Sequence, residues 1–150
     1  MTDFEYRPYD HIFMMGFEYD GVEAEAFKGK LDIKLLIHNY AKIGPAWIGI
    51  YRAKCVGGCG LFMTSPGVAQ SWMFFNKAAA PFSKTIVREI RKRTDEYMER
   101  FNFHRIHTFV PAYSETAVRF VKALGYENEG TLRMFGPGKE DYYVFAKLRG

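Results

Sequence analysis

The chain has 150 residues, 48% of them hydrophobic and 17% aromatic, with a formal net charge of +4. That length suits a single domain with a substantial core, and the composition excludes a disordered or low-complexity chain. No apolar run reaches the ~20 residues of a membrane-spanning helix. Residues 1–10 lack the basic and apolar regions of a secretory signal, so a cytoplasmic protein is expected.

Residues 4–8 alternate in polarity and predict a short first strand. Residues 22–40 carry Ala24, Phe27, Leu31, Leu35 and His38 at helical spacing, as one or two helices that Gly44-Pro45 ends. Three strands follow at 46–51, 55–63 and 71–75, and their short connections at 52–54 and 65–67 make an antiparallel meander. Gly57, Gly58 and Gly60 lie within the second of these and precede no helix, which excludes a nucleotide fingerprint. In a strand they mark a bulge or the close approach of an aromatic, with Trp47 and Trp72 at hand. Cys55 and Cys59 share this strand. Four residues apart, they would sit roughly 13 Å from each other, beyond the reach of a disulfide. No second pair of Cys or His completes a zinc site, so both read as small buried hydrophobes and no metal is expected.

The longest helix is predicted over 83–101, with Ile86, Val87, Ile90, Tyr97, Met98 and Phe101 on one stripe. Its basic residues Arg88, Arg91, Lys92 and Arg93 are interleaved with Glu89, Asp95, Glu96 and Glu99. That is a solvated helix face, and it argues against a nucleic-acid partner. Asn102 suits the left-handed residue that closes a helix. Residues 105–110 read as a strand. Ser114 caps a helix over 115–124 that turns Ala117, Val118, Val121 and Leu124 to the core and stops at Gly125. Residues 131–135 and 142–148 form a last hairpin across Gly136-Pro137-Gly138. This order predicts an α/β fold: one mixed, mostly antiparallel central sheet with helices on both faces, spanning residues 1–150 as a single domain. The crossover between 71–75 and 105–110 makes those strands parallel neighbours.

The C-terminal block runs His104-Arg105-Ile106-His107-Thr108-Phe109-Val110, then Ala117 and Phe120, then Leu124-Gly125-Tyr126, then Glu129-Gly130. With the element order, this progression resembles the GNAT superfamily of acyl-CoA N-acyltransferases. Gly44-Pro45-Ala46-Trp47, Gly58-Cys59-Gly60-Leu61 and the run from Pro66 to Trp72 are similar to a subgroup found in tailed phages and prophages. The likeness covers roughly residues 44–148.

The resemblance implies transfer of an acetyl or other short acyl group from acetyl-CoA, or another acyl-CoA, to a primary amine by direct attack. It implies two central parallel strands that splay apart, with pantetheine pairing to free amides of Phe74, Phe75 and Asn76. The pyrophosphate then sits on the start of the next helix, where Phe82, Ser83, Lys84 and Thr85 offer amides, a hydroxyl and a charge. Here the sequence departs from the family's glycine-rich turn: it has Asn76-Lys77-Ala78-Ala79-Ala80-Pro81. Ser83 is either an anion ligand or simply a helix cap. Val121 stands where the family often has a tyrosine acid, so Tyr113 is the substitute candidate or an ordinary loop aromatic. Ser114 either bonds the pantetheine or caps its helix. His107 is the candidate base because histidine titrates near neutral pH; the alternative is a satisfied strand histidine. Glu115 is a second base candidate, acting through water. Relatives often pair, so a homodimer is one expected partner. The rival reading keeps the fold without catalysis, as a binding or structural module in a phage virion or at a host protein. In that reading Phe135 and Tyr142 are exposed to the partner.

Overall fold

A computed structural model describes residues 4–150. Seven strands form one sheet in the order β1-β2-β3-β4-β5-β7-β6. They are β1 (Phe4–Pro8), β2 (Ala46–Tyr51), β3 (Lys54–Ser65), β4 (Val68–Phe75), β5 (Arg105–Pro111), β6 (Glu127–Leu132) and β7 (Tyr142–Leu148). Every neighbouring pair is antiparallel except β4 and β5, which run parallel across the crossover made by the long helix α4 (Ser83–Arg100). One face carries α4 and α5 (Glu115–Ala123); the other carries α1 (His11–Met15), α2 (Ala24–Phe27) and α3 (Ile33–Ile43). The expected mixed α/β sheet with parallel central strands is therefore present.

Each face of the sheet seals its own core. Ile86, Ile90 and Met98 of α4 and Val121 of α5 pack on Ile106, Val110 and Phe145. Met14, Ile33 and Ile37 of the N-terminal helices pack on Ile48, Trp72 and Phe74. Alternation along β4 divides its residues between the two layers, as a strand buried on both faces requires. Cys55 and Cys59 are free and buried, and burial pushes the Cys59 thiol up to about 12.

The structure decides or corrects three local expectations. The helical stretch over 22–40 is two helices, because Gly29 takes a left-handed φ of 71° and Asp32 starts a new one by accepting from the Leu35 N–H at 3.2 Å. The short α1 escaped sequence reading; Asp10 caps it through the Ile12 N–H at 2.9 Å. The strand expected at 131–135 lies instead at Glu127–Leu132. Beyond it, Met134 turns to φ 57° and its N–H is held by the Asp141 carboxylate at 3.0 Å, so the chain leaves the sheet.

The glycine-rich strand does both things a strand glycine suggests. The β2–β3 register shifts between Gly49 and Ile50. A Cβ on Gly60 would lie 2.6 Å from the Trp72 ring, and one on Gly57 2.4 Å from the Phe74 carbonyl. β3 thus presses close behind the end of β4. Among the described residues no helix is long and apolar enough to cross a membrane.

Candidate active site

β4 and β5 start side by side and then part. Their ladder runs from Val68↔Arg105 to Gln70↔His107, although β4 continues to Phe75 and β5 to Pro111. Just past the last rung, Thr108 Oγ1 donates to the Ser71 carbonyl at 2.9 Å. A side chain there replaces a backbone rung and closes the narrow end of the gap.

Backbone groups point to alternate sides along a strand. The Asn76 N–H donates to the Val56 carbonyl at 2.9 Å, so Asn76 and Phe74 face β3. Met73 and Phe75 consequently face the gap. On β5, the Arg105 N–H reaches Gly67 across the β4 side, and the Ala112 N–H reaches Asp141 on the β7 side. Phe109 therefore also faces the gap. Pro111, the next such position, has no N–H to leave unpaired, and its carbonyl accepts from the Ser114 N–H at 3.2 Å. Of the three amides expected from Phe74, Phe75 and Asn76, only that of Phe75 is available; Met73 joins it.

The gap opens into a cleft of about 1440 Å³ that passes through the sheet. On the α4–α5 side Ala79, Ser83, Ile86, Ala117 and Phe120 line it. The Phe82 ring stays clear of this mouth, stacked on Phe4 at 4.6 Å and against Tyr51 at 4.8 Å. The turn after β4 is not an open loop: a 3-10 helix over Lys77–Phe82 runs straight into α4. Ser83 is thus neither the cap nor a free amide, for its N–H donates to the Ala80 carbonyl and the cap position falls on Phe82. The real start of this helical stretch is Lys77, whose N–H is taken by the Asp20 carboxylate at 2.7 Å. Lys84 is exposed on the first turn of α4, and Thr85 Oγ1 accepts from Arg88 at 3.5 Å. Ser114 caps α5, accepting from the Ala117 N–H at 3.1 Å.

On the opposite side, the segment between α1 and α2 bridges the two parted strands. Asn76 Nδ2 donates to the Glu18 carbonyl at 3.2 Å, and Asp20 holds Lys77. From the β5 end, the Tyr113 hydroxyl donates to the Val22 carbonyl at 3.0 Å. Next to it stands Glu23, 9% exposed, on the cleft wall. Its N–H donates to the Tyr19 hydroxyl at 3.2 Å, and its carboxylate accepts from the buried Tyr142 hydroxyl at 2.5 Å. Burial holds the Glu23 carboxyl above the usual carboxylate range; the Tyr142 bond opposes that rise and nearby Glu140 adds to it. Burial and the Glu23 bond push Tyr142 the other way from ionising, so it remains a donor.

His107 sits at the closed end of the gap, paired with Gln70, and is not part of the cleft wall. Arg105 Nε donates to its Nδ1 at 3.3 Å while Arg105 forks onto Glu129 at 2.6 and 3.0 Å. Burial, then the Arg105 charge, holds His107 below the ordinary histidine value. Tyr142, expected to be exposed, is buried; Phe135 is 49% exposed and packs edge-on against it at 5.4 Å. Sequence reading missed Glu23 because it stands beside Glu25 in an apparent helix, where a glutamate looks like solvated surface. Its partner lies 119 residues away in β7. Among the described residues no group of three or more His, Cys, Asp or Glu is placed to hold a metal ion.

A seven-stranded mixed sheet whose two parallel central strands part over a through-going cleft is the fold of the GNAT acetyltransferases. Solved structures share this fold over 97–99% of the chain. A ribosomal-protein-alanine N-acetyltransferase from Brucella melitensis superposes with a TM-score of 0.74 at 16% identity, over 97% of this chain and 99% of that one. Ribosomal-protein-S5-alanine acetyltransferase from Vibrio fischeri gives 0.68 at 15% identity, over 99% and 94%. A GNAT-family acetyltransferase from Bacillus anthracis gives 0.71 at 14% identity, over 97% and 95%. No family model and no curated protein sequence matches the chain.

Proposed function

We propose that this protein is an N-acyltransferase that moves a short acyl group, acetyl in the simplest case, from acyl-CoA to a primary amine. The observation that carries this reading is the parted β4–β5 pair, with the Met73, Phe75 and Phe109 amides turned into a cleft that crosses the sheet. Strand amides without a strand partner suit an extended amide-bearing arm such as pantetheine. The wall on the α4–α5 side is apolar, with Ala117 and Phe120, while Lys77 supplies a cation at the turn. The fold neighbours that bear acetyltransferase names support the same reading.

In this reading the Phe75 or Met73 N–H polarises the thioester carbonyl, in the manner of an oxyanion donor. Glu23, rather than His107, takes the amine's proton, because among the described residues it is the one buried carboxylate on the cleft wall. No covalent enzyme intermediate is needed. Calorimetric titration with acetyl-CoA tests the proposal: the expected result is micromolar binding that weakens in Lys77→Glu. No heat up to millimolar acetyl-CoA, with no CoA released in the presence of amines, would refute it.

A further inference from the structure

We infer that the acceptor is a primary ammonium carried on an apolar body, with its cation set against Glu23 and its body in the pocket between α2–α3 and the turn that carries Phe135. This rests on the acyltransferase reading above and adds the chemical class of the second substrate.

Glu23 is a buried carboxylate without a cation. It takes part in none of the ion pairs among the described residues. The groups facing it are Tyr142 from β7, Tyr19 from its own segment, Tyr113 from the loop before α5, and Glu140 from the β6–β7 connection. Three are neutral hydroxyls and the fourth is a like charge. A buried carboxylate in such company is completed by a ligand's positive charge. The surrounding rings suit an ammonium as well: Tyr142 meets Phe135 at 5.4 Å and Phe135 meets Phe109 at 4.9 Å, so aromatic surface continues outward from the carboxylate.

The rest of this half of the cleft is built for carbon. Phe27, Ile33, Leu36 and Tyr40 line it, and Leu31 and Phe135, 39% and 49% exposed, stand at its edge. The other acids on this side, Glu18, Asp20, Glu25 and Asp32, are all exposed, as are Lys28 and Lys34. That rim has no second buried carboxylate for the far end of a polyamine. A single ammonium with an apolar or aromatic body fits; the source is either a free arylalkylamine or the first residue of a peptide.

The step balances without a further reactant. The ammonium gives a proton to the Glu23 carboxylate, and the freed lone pair forms the C–N bond at the thioester carbonyl. The tetrahedral adduct collapses, the C–S bond breaks, and the thiolate takes the nitrogen's surplus proton. Glu23 then returns its proton to water.

The test uses the full chain with acetyl-CoA and four acceptors: 2-phenylethylamine, the peptide Phe-Ala-Ala-Ala, glycine and spermidine. Either of the first two should exceed glycine and spermidine in kcat/KM by about 10-fold or more, the range an apolar pocket discriminates. Which of the two is faster identifies the source. Glu23→Gln should lower transfer by on the order of 100-fold while acetyl-CoA affinity is kept. Phe135→Ala, at an exposed position that folding tolerates, should raise the KM for the preferred amine about 10-fold with little change in kcat. Preference for glycine or spermidine, or undiminished transfer in Glu23→Gln, overturns this inference while leaving the acyltransferase reading in place. Failure of the unaltered protein to bind acetyl-CoA overturns both.

Discussion

Tyr142→Phe removes one hydroxyl and nothing else, and its effect can be worked through from the Glu23 contact. That hydroxyl donates to the carboxylate at 2.5 Å, within a site where Tyr142 is 5% and Glu23 9% exposed. A hydrogen bond to a charged group contributes about 1.5–3 kcal/mol. Because the bond favours the ionised form, its loss raises the Glu23 pKa further. The acidic limb of kcat/KM against pH, which reports ionisation of the free enzyme's base, should move to higher pH. Stability changes in a linked way. The folded protein holds Glu23 above its unfolded value, so it binds the extra proton between those two values. Stability is therefore greatest below the unfolded pKa and falls as pH rises through the folded one. The variant extends that fall: at pH 7 it should melt roughly 3–12 °C below the parent, about 2–4 °C per kcal/mol for a chain this size. At pH 4, where the carboxyl is protonated in both proteins, most of the difference should vanish. An acidic limb that stays in place, or a melting difference equal at pH 4 and pH 7, would refute the reasoning.

Other perturbations separate the parts of the site. His107→Ala should leave transfer within about twofold in steady-state kinetics, since that ring lies outside the cleft; a large loss with acetyl-CoA binding intact would make His107 the base. Asp20→Asn removes a carboxylate from the turn whose Lys77 cation is proposed to favour the anionic acyl-CoA. Acetyl-CoA should bind roughly 2–5-fold tighter by titration, as expected for one solvated like charge, and unchanged affinity would place its phosphates elsewhere. Thr108→Val keeps the side-chain shape but leaves the buried Ser71 carbonyl without its donor. Thermal unfolding should show a loss of about 1–3 kcal/mol; no loss would mean that this bond does not close the gap's narrow end.

Strands and the long helix were legible because their signals are local. Residues 4–8 alternate over the span of β1, and Trp47, Ile48 and Ile50 mark the span that β2 occupies. Asn102 takes the left-handed φ of 54° that its place after a helix suggested, and Ser114 caps α5 through Ala117. Failures came where a distant residue decides the local outcome. The β6 strand stops because Asp141 captures the Met134 N–H. The helix after β4 starts early, at Lys77, because Asp20 reaches it from 57 residues upstream. An alanine-rich stretch with Pro81 in place of glycines gave no hint that the turn would coil into a 3-10 helix. The choice of His107 as the base followed residue type, which is visible in a sequence. Glu23 is singled out by burial, which is not.

Glu23 also explains why three tyrosines gather at this end of the cleft. An ionised carboxylate loses stability by burial, and a short segment between two small helices has little packing of its own to offset the loss. The hydroxyls of Tyr19, Tyr113 and Tyr142 hold the segment from within, from the end of β5 and from β7, fixing the backbone at Val22 and Glu23 and one carboxylate oxygen. Asn76 and Asp20 tie the same segment to the end of β4. The bridge therefore depends on both parted strands at once. If the strands were to close, Tyr113 and Asn76 would no longer suit one segment of fixed length. The width of the gap and the position of the carboxylate are thus coupled: a variant that loosens the bridge, such as Tyr113→Phe, should weaken acceptor use and acyl-CoA binding together. A change confined to one of the two would show that the segment is only an acceptor-side loop.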